Sequence, residues 1–285
     1  MDPRPTILLP AFLLAVLHFA APPAGRAQGP RLFYESDGAG TPVVFVEDWA
    51  TDTSLWFRIL PALRSGHELV RYDLRGQGRS EVPEDGDYAL AAHREDLARV
   101  LDGLGIRSAH LVGAGFGATV ALAFALEHPD RTRSVVAIHP HIVWSADARE
   151  GWARFLEGYD RSGRPPVSEY ASVIVDRWFG SRFPDEEPWL VPFVDLMLSR
   201  QDGPALTAAL RSWLGTELDP PERRTGVPVL VLWGERSGPP ASEPRLHRAF
   251  EVRRAPIGRA GGMPHVEAPR ETAAAIAAFL ESLER

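Results

Sequence analysis

Short runs of consecutive apolar and β-branched residues alternate along this chain with segments whose apolar positions recur every three or four residues. Val43-Val44-Phe45-Val46, Glu68 to Tyr72, His110-Leu111-Val112, Ser134 to Ile138, Val229 to Trp233 and Val252 to Ile257 are the strand-like runs. The first of them is continuously apolar rather than alternating, which predicts a strand covered on both faces. Helical spacing marks Leu55 to Leu63, Tyr88 to Leu104 (ended by Gly105), Ala118 to Glu127 (stopped at Pro129) and Glu271 to Leu283. Strand–helix alternation with short connections predicts an α/β fold with a mostly parallel central sheet flanked by helices. The rhythm breaks between 142 and 222, a stretch that holds five of the eight Trp residues and proline joints at Pro165-Pro166, Pro184, Pro188 and Pro220-Pro221. Residues 142–222 are expected to form a helical cap inserted into a core made of 28–141 and 223–285. Most of the cap tryptophans are expected to fill the space between its helices.

The first 27 residues have a different pattern. Arg4 precedes an apolar run from Ile7 to Ala21, interrupted by Pro10, and small residues follow at Ala24, Gly25 and Ala27. The run is short for a bilayer span and predicts a signal peptide cleaved after Ala27, hence an exported protein without stable membrane insertion after cleavage, with an uncleaved anchor as the alternative. Composition removes other possibilities. The chain of 285 residues has no Cys, so thiol nucleophiles, disulfides and thiolate metal sites are excluded. All 31 basic residues are Arg, which excludes Schiff-base lysines. A net charge of −7 argues against nucleic acid as a partner.

Four motifs in order carry a family resemblance. Tyr72-Asp73-Leu74-Arg75-Gly76-Gln77-Gly78-Arg79-Ser80, the run from His110 to Gly117 with Leu126 to Arg131 after it, Pro228 to Glu235, and Gly261 to Pro269 together resemble the α/β-hydrolase fold superfamily. Asp176-Arg177-Trp178-Phe179 is weakly similar to the enol-lactonase branch. The resemblance implies the fold named above, with a Ser-His-Asp triad and a cavity between core and cap. The residues at the implied triad positions differ from that pattern. Where the family has Gly-x-Ser-x-Gly on a sharp strand-to-helix turn, this chain has Gly113-Ala114-Gly115-Phe116-Gly117, so Gly115 stands in the nucleophile's place. Ser237 stands where the acid is expected and Gly262 where the His is expected. His265 reads as a structural residue opening the last helix. The loop after the first core strand has Glu47-Asp48-Trp49 in place of the usual His-Gly, and a carboxylate there would repel a developing oxyanion.

These departures lead to a non-hydrolytic member of the family that binds a small apolar or carbonyl-bearing ligand. Asp48, Trp49, Gly115, Phe116, His141, Trp144, Ser237 and Gly262 are the expected ligand-binding residues, with no catalytic residue among them. The Phe116 N–H, at a helix N-terminus, is expected to attract an anion or carbonyl. The alternative is ester or lactone hydrolysis through relocated groups, for which Glu47, Asp48, His139, His141 and His265 are loose candidates. A metal at His139 and His141 rests on spacing alone, and no metal or other cofactor is implied. A partner-binding role for the cap surface has no distinctive pattern behind it.

Overall fold

The computed structural model describes residues 18–19, 29–162, 171–179, 188–241 and 243–284. The expected signal peptide lies outside them except for His18–Phe19. Parts of the 142–222 segment, including the joints at 165–166 and 184, lie outside them too. Strands β1 (His18–Phe19), β2 (Phe33–Gly38), β3 (Thr41–Val46), β4 (His67–Tyr72), β5 (Ala109–Ala114), β6 (Thr132–Ile138), β7 (Pro228–Gly234) and β8 (Glu251–Ile257) form one sheet in the order β1-β2-β4-β3-β5-β6-β7-β8. β1–β2 and β2–β4 pair antiparallel and every other pair is parallel. The middle strands are the continuously apolar ones: Val43 to Val46 and all six residues of β5 are buried.

Helices α1 (Leu90–Gly103), α2 (Gly115–Glu127) and α7 (Pro269–Leu283) pack around this sheet. α2 is apolar all round and follows β5 directly, so it is buried from Gly115 to Ala125. Two glycines allow its approach. A Cβ on Gly117 would lie 2.1 Å from the Val46 carbonyl oxygen, and one on Gly113 would lie 2.4 Å from the Gly117 carbonyl oxygen. Between β6 and β7 the described residues form four further helices, α3 (Ala146–Arg161), α4 (Ala171–Phe179), α5 (Leu190–Ser199) and α6 (Gly203–Leu214). Ser145 and Asp202 cap the first and last of these with side-chain oxygens. The inserted helices are tied to the core by hydrogen bonds from Trp49 Nε1 to Leu206 O (2.8 Å), Ser212 Oγ to Tyr88 O (2.8 Å) and Gly262 N to Trp178 O (3.0 Å).

Two sequence expectations change. Leu55 to Leu63 is not one helix but a 3₁₀ turn, Thr53–Trp56, followed by a separate turn, Leu60–Leu63. Pro61 has no N–H to donate back into the first turn, so the helix restarts at it. β2 was not anticipated, because Phe-Tyr-Glu-Ser-Asp-Gly has only two apolar residues and lies near the sheet edge.

The Asp-x-Arg-Gly-x-Gly run acts as a structural clamp. Asp73 accepts hydrogen bonds from the N–H groups of Thr53 (2.7 Å) and Arg79 (2.7 Å), closing two loops on one carboxylate. Arg75 forms a two-pronged pair with Asp96 of α1, Nε to Oδ2 at 2.6 Å and NH2 to Oδ1 at 2.7 Å, and donates also to Asp87 O and Ala92 O. Both partners are buried. Removing one member of a buried pair strands the other charge, so Asp96→Ala should cost about 3–5 kcal/mol of unfolding free energy. Urea denaturation checks this, and a loss below about 1 kcal/mol would place the pair among weak, solvent-screened ones.

Candidate functional site

The carboxyl ends of β3, β5, β6 and β7 meet beneath the inserted helices. At the end of β5 the chain turns into α2 through Ala114, which is extended (φ −116°), and Gly115, which is left-handed (φ +49°). A side chain there would bear backbone strain. It would also have no room, because a Cβ on Gly115 would lie 2.1 Å from both carboxylate oxygens of Asp48. The loop after β3 therefore delivers a carboxylate to the point where the elbow residue's own side chain would stand. Asp48 Oδ1 accepts from Trp49 N at 2.7 Å and from Phe116 N at 2.8 Å. In a hydrolytic elbow the oxyanion hole is formed by two such amides, one from the residue after the nucleophile and one from the loop after a neighbouring strand. Here Asp48 occupies both. Its Oδ2 takes no hydrogen bond from the described residues.

Burial dominates the electrostatics. Asp48 is 8% exposed, and loss of water pushes its carboxyl up from 3.8 to about 7 against the opposing pull of the two amides. Glu47, fully buried beside it, is pushed well above the ordinary range by burial first and by Asp73 second. It accepts from Leu74 N at 2.8 Å through Oε1, while Oε2 has no partner among the described residues. Burial therefore favours its protonated form. Asp73 rises to about 6, chiefly through burial.

Above Asp48 lies a cavity of about 230 Å³. Its walls are Trp49, Trp144, Trp152, Trp178 and Trp213, with Gly115, Gly262 and Ser237 at positions where larger groups would narrow it. His139 and His141 follow β6, and their ring centroids are 5.1 Å apart. His139 is held at φ +46°, a costly conformation for a residue with a Cβ. His141 stacks on Trp144 at 5.0 Å, nearly parallel. Burial lowers His139 to about 4 and His141 to about 3, so both are neutral near pH 7. His265 is also lowered to about 3 by burial. It packs on Trp56 with ring centroids 5.0 Å apart, and neither of its nitrogens has a partner among the described residues. Among the described residues no three His, Asp or Glu side chains are grouped to hold a metal ion.

Seven of the eight expected residues line this cavity: Asp48, Trp49, Gly115, His141, Trp144, Ser237 and Gly262. Phe116 is the exception. Its ring packs edge-on against His93 at 4.8 Å and against Trp213 at 5.1 Å, and its N–H is already taken by Asp48. The expected capture of a carbonyl by that N–H is therefore corrected, because the chain's own carboxylate got there first. His265 opens the short helix Pro264–Glu267 rather than the last helix. Trp152, Trp178, Trp213 and Arg177 were not anticipated as lining residues. Arg177 and Trp178 belong to the run that resembled the enol-lactonase branch, which was the available signal. Four of the five tryptophans of 142–222, Trp144, Trp152, Trp178 and Trp213, are buried among the helices and also wall the cavity, whereas Trp189 is largely exposed.

A family model described as alpha/beta hydrolase fold matches residues 41–239. Among curated relatives, the chain is 26% identical over 193 residues to 3-oxoadipate enol-lactonase 1 of Acinetobacter baylyi, covering 67% of this chain and 70% of that protein. It is 32% identical over 123 residues to a protein named as carbamate hydrolase RutD from Azorhizobium caulinodans, a match covering 43% of this chain and 42% of that relative. The chain thus spans less than half the length of that relative. Of solved structures, a hydrolase from Pseudomonas aeruginosa PA01 aligns with a TM-score of 0.82 at 26% identity, covering 94% of this chain and 99% of that one. The enol-lactonase from Burkholderia xenovorans LB400 aligns with a TM-score of 0.79 at 22% identity, covering 88% and 97%, which is a likeness of fold.

The raised Asp48 carboxyl predicts a pH signature. A group held higher in the folded than in the unfolded chain adds stability that is complete below 3.8 and is lost as pH rises through about 7. Ionised, it withholds up to about 4 kcal/mol. Asp48→Asn should therefore gain on the native chain between pH 4 and pH 8 by a few kcal/mol, read from urea denaturation at each pH. A pH-independent difference would mean that Asp48 titrates normally.

Proposed function

The chain belongs to the alpha/beta hydrolase fold family, and from that premise we propose that it does not carry out acyl-serine hydrolysis and instead receives a small apolar ligand in its tryptophan-walled cavity. The observation that carries this reading is the Asp48 carboxylate, which fills the elbow side chain's place and both amides of the would-be oxyanion hole. Acyl transfer by an elbow nucleophile needs an attacking atom on the turn and free donors for the developing oxyanion. Gly115 has no side chain, and an oxyanion arriving at Trp49 N and Phe116 N would meet a carboxylate. Gly115, Ser237 and Gly262, read as the substituted triad positions, leave room for a ligand. This proposal keeps the apolar ligand and drops the carbonyl as its anchoring group. The reading places the protein outside the cytoplasm, through export by residues 1–27.

A second reading is ester or lactone hydrolysis through relocated groups. The hydrolase names of the relatives favour it, and so does Asp48, because a carboxyl near 7 with one unengaged oxygen suits a base that activates water. The carbonyl oxygen of such a substrate would need donors other than the two amides already engaged.

Two measurements separate these readings. The native chain should resist labelling by a serine-directed fluorophosphonate and should turn over p-nitrophenyl acetate and small lactones no faster than buffer. Labelling would overturn the proposal. Lactone turnover abolished by Asp48→Asn would establish the second reading. Rebuilding the triad as Gly115→Ser, Ser237→Asp and Gly262→His should fail by itself. The new Cβ at 115 strikes Asp48, and the one at 262 lies 2.6 Å from the Trp178 carbonyl oxygen. Adding Asp48→Gly frees both amides and removes the first collision, so any esterase gain should appear only with that fourth change.

A further inference from the structure

Asp48 has one bonded oxygen and one unengaged oxygen. Among the described residues its hydrogen-bond donors are the two backbone amides on Oδ1, and no cationic side chain among them forms an ion pair with it. A buried carboxylate without a cation is costly, and the cost is relieved either by protonation or by a positive partner. The space in front of Asp48 is walled by five tryptophans, whose ring faces attract cations. One of these faces already holds one: the Arg177 guanidinium sits over Trp152, 4.6 Å from the ring centroid, while donating to Gly151 O at 3.0 Å. That charge is stacked into the wall formed by the inserted helices and is not among the groups acting on Asp48.

We propose that the cavity takes a ligand bearing a protonated amine, with the ammonium donating to Asp48 Oδ2 and the apolar body lying between the Trp walls. This rests on the ligand-binding reading above and names the chemistry of the ligand. A hydroxyl could donate to the same oxygen but would leave the buried charge uncompensated, and a carboxylate ligand would be repelled by Asp48. The other titratable groups facing the cavity do not compete for the role. His139 and His141 after β6, and His265 before α7, are uncharged near pH 7, and Glu47, which does not line the cavity, is pushed by burial towards its protonated form. The cavity of about 230 Å³ suits a single-ring amine.

The test uses the purified chain and four probes of one shape, namely benzylamine, benzyl alcohol, toluene and benzoate, with binding read by calorimetry. Benzylamine should bind at least about tenfold tighter than benzyl alcohol at pH 8. Its advantage should shrink towards pH 5.5, where the amine remains protonated but Asp48 does not remain ionised. Near pH 6.5, benzylamine binding measured in buffers of different ionisation enthalpy should release a proton, a readout that needs no mutant. Asp48→Asn should bring benzylamine down to the affinity of benzyl alcohol. If alcohol and amine bind equally, or benzoate binds best, or the amine preference survives in Asp48→Asn, the amine proposal fails and the cavity reading stands. If none of the four binds, the cavity reading fails together with it.

Discussion

One carboxylate sharing an oxygen between two backbone amides organises this site. Asp48 Oδ1 bridges Trp49 N, on the loop after β3, and Phe116 N, at the start of α2. The two amides come from segments that the parallel β3–β5 pairing brings side by side. Without an acceptor they would be two donors facing a largely apolar cavity, a costly state for buried N–H groups. The carboxylate satisfies both and gains from the helix N-terminus. Its burial in turn raises its proton affinity until it titrates near neutrality. Satisfied donors, a displaced charge and a filled elbow are thus consequences of a single contact.

That contact couples positions 48 and 115. A side chain at position 115 and a carboxylate at position 48 claim the same volume, so Gly115 is what allows Asp48 to enter. With Asp48 in place, a Ser at 115 alone is blocked by sterics, whatever the chemistry of the hydroxyl. Trp49 extends the linkage outward, because its N–H holds Asp48 while its indole donates to Leu206 O in α6 and packs edge-on against Trp152 at 5.2 Å. The roof of the cavity and the charge on its floor are therefore fixed through adjacent residues.

Much of the fold was legible from pattern, because the central strands, β3 and β5 above all, are buried on both faces and read as apolar runs. The core helices were legible from spacing and from stops such as Gly105 and Pro129. β2 escaped because a strand next to the sheet edge need not be apolar, and the Leu55 to Leu63 helix was broken by one missing N–H at Pro61. The floor of the site was legible residue by residue, since Gly115 and Asp48 both depart from a motif with a known geometry. Their contact was not legible. That two departures 67 positions apart interlock depends on strand register and on a side-chain direction that no spacing rule encodes. Arg177 and the Trp152 and Trp178 faces escaped for a related reason: an amphipathic helix shows which side is apolar, not whether that side meets a core or a void.

A buried, unpaired charge held in place by the backbone is a stored unfavourable energy, and that energy has a direction. With Asp48 protonated the site is near neutral and the fold loses nothing. With Asp48 ionised the fold bears the cost of desolvation, offset only in part by two amides. Any ligand that neutralises the carboxylate recovers the difference, so part of its binding energy is the relief of a strain already present in the empty protein. Such a site prefers a ligand by charge before shape, since apolar contacts with the tryptophans are available to every flat molecule of the right size. Arg177 shows that an indole lining this cavity accepts a cation: its guanidinium lies over Trp152 while donating to Gly151 O.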